Sequence, residues 1–175
     1  AVAPNASSSI ICGNTSPSIE PYRANAFTQK TKSGSSLQKN EYLEHILQEL
    51  GEDNDEVWKG IITNGGSVQH LEFLDDWTKD VFKTAVEIDQ RWVIDLAADR
   101  QEYICQSQSL NVFFPANVSK QELHAIHMMA WKKKVKTLYY LRSEAYKRAE
   151  NVSDEALRQY IFDSIEEGAC LACEG

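Results

Sequence analysis

The stretch QSQSLNVFFPANVSKQELHAIHMMAWKKKVKTLYYLR, residues 106–142, decides the fold. Its first part, Ser107 to Phe114, has strand composition and stops at Pro115. Ser119 and Glu122 then make a capping box that opens a helix from Lys120 to about Lys134. Val135 to Leu141 returns to strand composition. Strand, helix and strand in this order predict parallel pairing, because a tight hairpin joins only antiparallel strands. The expected class is α/β.

Upstream, helices dominate. Tyr42, Leu43, Ile46, Leu47 and Leu50 fall on one helical face, and Gly51 stops the helix. A second helix is expected from about Asp55 to Asn64, with acidic residues at its start and Gly65-Gly66 at its end. Asp75 to Tyr103 reads as two more, carrying Trp77, Val81, Phe82, Val86, Trp92, Leu96 and Tyr103 inward. The first 36 residues, rich in Ser, Asn, Pro, Thr and Gly, read as loop and strand. Beyond Arg142 the chain turns polar and charged, and there is no internal repeat. So few strands cannot close a sheet with buried faces, and the architecture is expected to be incomplete alone.

Composition narrows the partners. Of 175 residues, 42% are hydrophobic and 25% charged, which is ordinary for a folded domain. The net formal charge of −8 argues against a broad basic face for a nucleic acid polymer. No apolar run approaches the ~20 residues of a membrane helix. Ala1 to Gly13 contains no Lys or Arg and so lacks the basic start of a signal peptide. Cys12, Cys105, Cys170 and Cys173 do not form the spaced set of a disulfide framework. A reducing, cytoplasmic location is expected.

Four features carry potential chemistry. Pro4, Asn5, Ala6, Ser7, Ser8 and Ser9 form a small-residue loop whose N–H groups and hydroxyls suit a phosphate or diphosphate; a plain surface loop is the alternative. Tyr139 and Tyr140 are adjacent phenols that, on a strand, should point to opposite faces. They suit either packing or relay of an electron and a proton. Cys170 and Cys173 form a CxxC that suits dithiol exchange, or half a zinc site with His124 and His127 as the other pair. That helix needs one face for its core, so no metal site is expected. Trp131 to Lys134 reads as a solvated helix end, or as a receiver for an acidic peptide. His45, His70, Cys12 and Cys105 read as structural.

Assembled, these words match a family. SIICGNTSPSIEPY (9–22), NGGSVQHL (64–71), FKTA (82–85), QSQSLN (106–111), KTLYYLR (136–142) and the terminal CxxC together resemble the large, catalytic subunit of class I ribonucleotide reductase. The resemblance runs in order along the whole chain. It is most specific at Glu20-Pro21, QSQSLN and the paired tyrosines, and weaker between Ser143 and Ala169.

The resemblance implies the C-terminal part of that subunit's ten-stranded α/β barrel, at 1–142, followed by a flexible tail with the CxxC dithiol, at 143–175. It implies an enzyme that reduces ribonucleoside diphosphates to deoxyribonucleotides by a radical mechanism. Pro4 to Ser9 fall where the family binds the substrate diphosphate, although Asn5 and Ala6 depart from a uniform pattern. Tyr139 and Tyr140 fall on the radical-relay tyrosines. Cys170 and Cys173 fall on the tail dithiol that re-reduces the active site and is itself reduced by thioredoxin or glutaredoxin. The radical-bearing cysteine, the substrate-reducing cysteine pair and the allosteric cone have no counterpart here. This chain is therefore expected to be a split-gene product or an excised piece, inactive by itself. Its implied partners are the N-terminal part of the large subunit and the small (beta) subunit, which supplies the metal-dependent radical; this chain holds no cofactor. The alternative is a non-catalytic module that binds the small subunit or a thioredoxin-like protein.

Overall fold

The computed structural model describes residues 1–5, 8–9, 12, 19–31 and 34–143. They form two compact units. One joins Ala1–Tyr22 to the stretch beginning at Ala85, and the other runs from Arg23 to Thr84. The first is called the split unit and the second the inserted unit.

The inserted unit begins with an antiparallel hairpin. β1 (Ala26–Thr31) pairs with β2 (Gly34–Lys39), in register from Ala26 opposite Lys39 to Thr31 opposite Gly34. α1 (Glu41–Leu50) starts where the Asn40 side chain accepts from the Tyr42 N–H. It ends at Gly51, whose φ of 75° lets its N–H reach the Gln48 and Leu47 carbonyls. Leu43 and Leu47 are buried, whereas Tyr42 and Leu50, expected on the same face, are exposed. α2 (Asp55–Thr63) is capped by Asn54 and gives way to Gly65 and Gly66. Gly66 has φ 86°, and a Cβ there would sit 2.3 Å from the Cβ of Ala24. α3 (Asp76–Val81) is short and capped by Asp75. Leu43, Leu47, Trp58, Ile61 and Phe82 share one core.

Two asparagines knit the inserted unit's ends. Buried Asn25 donates from Nδ2 to the carbonyls of Gly66, at 3.0 Å, and Phe82, at 2.8 Å. Its Oδ1 accepts from Asn40 at 3.0 Å.

The split unit carries the expected strand–helix–strand. α4 (Gln90–Gln101) precedes β3 (Val112–Phe114), α5 (Lys120–Lys132) and β4 (Leu141–Ser143). β3 and β4 pair in parallel, with Val112 opposite Leu141 and Phe114 opposite Ser143. Ser119 caps α5 by accepting from the Glu122 N–H at 3.0 Å. Val2 bridges Gln108, again in parallel. Backbone groups alternate along a strand, so 107 and 109 serve Val2 while 110 and 112 serve 139–140. The 107–112 segment therefore has a parallel neighbour on each edge. Ile94, Ala97, Leu110, Phe114, Ile126 and Ala130 pack together beside it.

Several expectations need correction. Trp77, Val81, Trp92, Leu96 and Tyr103 are exposed. α4 offers two apolar faces, and packing uses the one bearing Val93, Ile94 and Ala97, which leaves Trp92 and Leu96 outside. Ser8 and Ser9 take helical backbone in place of loop or strand, with Ser9 N–H donating to the Asn5 carbonyl and Cys12 N–H to that of Ser8. Cys12 and Cys105 are exposed, so neither is a packed core thiol. Lys133 is not simply solvated: its Nζ lies 2.8 Å from Asp95 Oδ1. That carboxylate raises the Lys133 pKa.

Candidate functional site on the split unit

The tyrosine pair sits at the entry to β4, ahead of the strand itself. Tyr139 N–H donates to the Leu110 carbonyl at 2.8 Å, and the Tyr140 carbonyl accepts from Val112 N–H at 3.0 Å. Because the pair precedes β4, the alternation of a strand does not govern it. The two rings lie together, with centroids 4.2 Å apart and planes inclined by 57°, and do not point to opposite faces. Both are about half exposed, at 51% and 47%. The Arg142 guanidinium lies 4.5 Å from the Tyr140 ring centre, within cation–π range. A hydrogen bond with Tyr140 raises the Tyr139 pKa, the like charge of an ionised neighbour adds to this, and Arg142 opposes it.

The same unit holds a set of polar side chains whose motifs the sequence reading marked but to which it gave no role. Glu20, buried, accepts from the Asn111 backbone N–H at 2.6 Å and from Asn111 Nδ2 at 3.0 Å. Asn111 Oδ1 in turn accepts from the Tyr140 N–H at 3.0 Å. Gln108, 1% exposed, donates to the Ala97 carbonyl at 2.8 Å and accepts from Arg100 Nε at 3.1 Å. Gln90 accepts from Phe113 N–H at 2.9 Å and donates to the Ala85 carbonyl, also at 2.9 Å. Lys136 Nζ donates to the carbonyls of Ile104, at 3.0 Å, and Cys105, at 2.6 Å. The available signal was polarity in the wrong place. Gln108 and Asn111 interrupt a strand-like run, and a buried amide such as that of Gln108 must be hydrogen-bonded.

The small-residue loop leaves the Val2 bridge at once. Val2 N–H donates to the Ser107 carbonyl at 3.1 Å, and Ser109 N–H returns to Val2 at 2.9 Å. Pro4 and Asn5 are exposed, Ser8 is exposed and Ser9 is buried. Ala6 and Ser7 lie outside the described residues, as do Cys170 and Cys173. Among the described residues no cluster of three His, Cys, Asp or Glu side chains is set to hold a metal. His127 Nδ1 is hydrogen-bonded to the Leu123 carbonyl of its own helix, at 2.7 Å. Among those residues, too, no helix is long and apolar enough to cross a membrane.

The strand–helix–strand unit and the order of the motifs agree with a barrel fragment of the reductase class. Residues 1–141 match the family model described as "Ribonucleotide reductase, barrel domain", and the chain belongs to that family. It is 55% identical over 172 residues to the ribonucleoside-diphosphate reductase large subunit of Invertebrate iridescent virus 6, covering 95% of this chain and 18% of that protein. With the large subunit of Invertebrate iridescent virus 3 it shares 46% over 178 residues, covering all of this chain and 28% of the relative. Among solved structures it is similar to the Actinobacillus ureae class Id ribonucleotide reductase alpha subunit. There the TM-score is 0.72 at 43% identity, over 81% of this chain and 25% of that one. The chain thus spans less than a third of the length of these relatives.

Proposed function

We propose that this chain supplies part of a ribonucleoside-diphosphate reductase large subunit and works only in a larger assembly. The observation that carries the reading is the Tyr139–Tyr140 contact, with ring centroids 4.2 Å apart, in a chain of this family. A phenol that loses one electron also gives up its proton. Two phenols in ring contact let the electron and the proton pass together from one ring to the next. The half-exposed pair would take its oxidising equivalent from the small (beta) subunit, whose metal supplies the radical, and pass it toward the active-site cysteine of the N-terminal part.

In this reading the Pro4–Ser9 segment, with Ser7 and Ser8 as donors, holds the ribonucleoside diphosphate through hydroxyls and N–H groups. Residues 1–142 complete the barrel, and 143–175 form a tail. Its Cys170–Cys173 dithiol reduces the active-site disulfide through a mixed disulfide and becomes oxidised in turn, to be re-reduced by thioredoxin or glutaredoxin in the cytoplasm. Mixing this chain with the N-terminal remainder of a large subunit and with the small subunit tests the reading. Deoxyribonucleotide should form only when all three are present. Turnover from this chain and the small subunit alone, or equal turnover without this chain, overturns it.

A further inference from the structure

We infer that Glu20 and Asn111 are positioning residues for the tyrosine pair, acting as a clamp whose hydrogen-bond direction is fixed by the carboxylate. The inference rests on the relay reading above and adds to it the groups that set the geometry. A carboxylate only accepts, so both oxygens of Glu20 take donors from Asn111: the backbone N–H at 2.6 Å and Nδ2 at 3.0 Å. With Nδ2 so engaged, Asn111 has its Oδ1 turned toward Tyr140, where it accepts the backbone N–H at 3.0 Å. The polarity of one buried acid thus dictates the amide orientation that holds the second relay tyrosine.

The clamp also joins two parts of the candidate site. The N-terminal segment is held to one strand at two points, by Val2 at Ser107 and Ser109 and by Glu20 at Asn111. The opposite edge of that strand receives Tyr139 and Tyr140. The strand is therefore the common support of the small-residue segment and the phenols, and Glu20 touches it at the residue that reaches across to Tyr140.

Direction makes the clamp testable without changing its size. In Glu20→Gln, the introduced Nε2 faces a donor however it is turned. If Asn111 flips to relieve this, its Nδ2 meets the Tyr140 N–H. In Asn111→Asp two carboxylates face each other. In the double variant Glu20→Gln with Asn111→Asp, the Nε2 introduced at position 20 donates to the oxygen introduced at position 111. The second oxygen there still accepts from Tyr140. Volume, net charge and the bonds between positions 20, 111 and 140 are retained.

The measurement is steady-state turnover in the assembled enzyme, with thermal unfolding of each variant alongside. Each single variant should lower kcat by roughly a hundredfold, the scale of an ångström-level misplacement. KM for the ribonucleoside diphosphate should change far less than kcat, because the small-residue segment keeps its separate hold through Val2 at Ser107 and Ser109. The double variant should recover most of kcat. Single variants with native kcat overturn the inference, and so does a double variant no faster than the singles, whether or not it folds. Tyr140→Phe in the same assembly separates the two levels. If it retains turnover, the relay reading fails; if it is inactive while the Glu20 and Asn111 variants are normal, only the clamp fails.

Discussion

The inserted unit buries leucine, isoleucine and tryptophan around three capped helices, whereas the split unit places glutamines and an Asn–Glu pair against its central strand. Burial of apolar surface is non-directional and tolerates small displacements. Buried amides and acids demand particular partners at particular angles, and fix a backbone more tightly for that reason. In the split unit the directional fastening runs along the strand that carries the phenols, whereas in the inserted unit Asn25 uses it to tie the unit's ends. Where a ring must meet another ring at a set distance, polar fastening is the suitable means.

The contrast can be broken, and the largest effect concerns chemistry without stability. Tyr139→Phe or Tyr140→Phe keeps the ring and removes the transferable proton, so the assembled enzyme should lose turnover while its unfolding temperature stays put. Near-native turnover in either variant would return that residue to packing. Next is Gly66→Ala in the inserted unit. A methyl at φ 86° and 2.5 Å from the Ala24 Cα forces a backbone shift, and roughly 3 kcal/mol of stability should be lost. A denaturation midpoint unchanged from the parent chain would refute the close approach.

The split unit's equivalent is Gln108→Ala. It removes the second donor to the Ala97 carbonyl and the acceptor of Arg100 Nε, at a cost of about 1–3 kcal/mol. Gln108→Leu should be at least as damaging despite adding apolar surface. If leucine instead stabilises, the polar interior is ornamental and the contrast between the units collapses.

The smallest effect is a titration. The Tyr140 hydrogen bond moves the Tyr139 phenol above its ordinary pKa of 10.0. The proton is then held more tightly in the folded state. Stability from the protonated pair is complete below the ordinary value and fades as pH rises through the raised one. Tyr140→Phe should bring the Tyr139 midpoint down, read as phenolate absorbance against pH. A midpoint unmoved by that substitution would mean that the phenols do not share a hydrogen bond.

The same contrast explains what could be read from residues alone. Helix limits were legible where they are set within a few positions, by Gly51 at the end of α1 and by Ser119 and Glu122 at the start of α5. Parallel pairing of β3 with β4 followed from the helix between them. Which face of α4 turns inward was not legible, because Val93, Ile94 and Ala97 compete with Trp92 and Leu96 and only a neighbour chooses. Nor was the clamp. Glu20 and Asn111 are 91 positions apart, and no local period connects them. The tyrosines were visible as a pair, but their ring contact depends on where β4 begins.

That separation of 91 positions has a kinetic side. During synthesis Glu20 emerges long before Asn111, so the split unit cannot close until nearly all of the described chain has left the ribosome. The inserted unit has no such delay, since its hairpin and helices are contiguous. Once Asn25 bonds the carbonyls of Gly66 and Phe82, the two ends of the insertion are drawn side by side. The Ala85 N–H can then meet the Tyr22 carbonyl, at 2.7 Å, across a loop already shortened by folding. Less chain entropy remains to be lost when the N-terminal segment finds its strand. Because its own contacts are contiguous, the insertion shortens the span that must close before the tyrosine platform is complete.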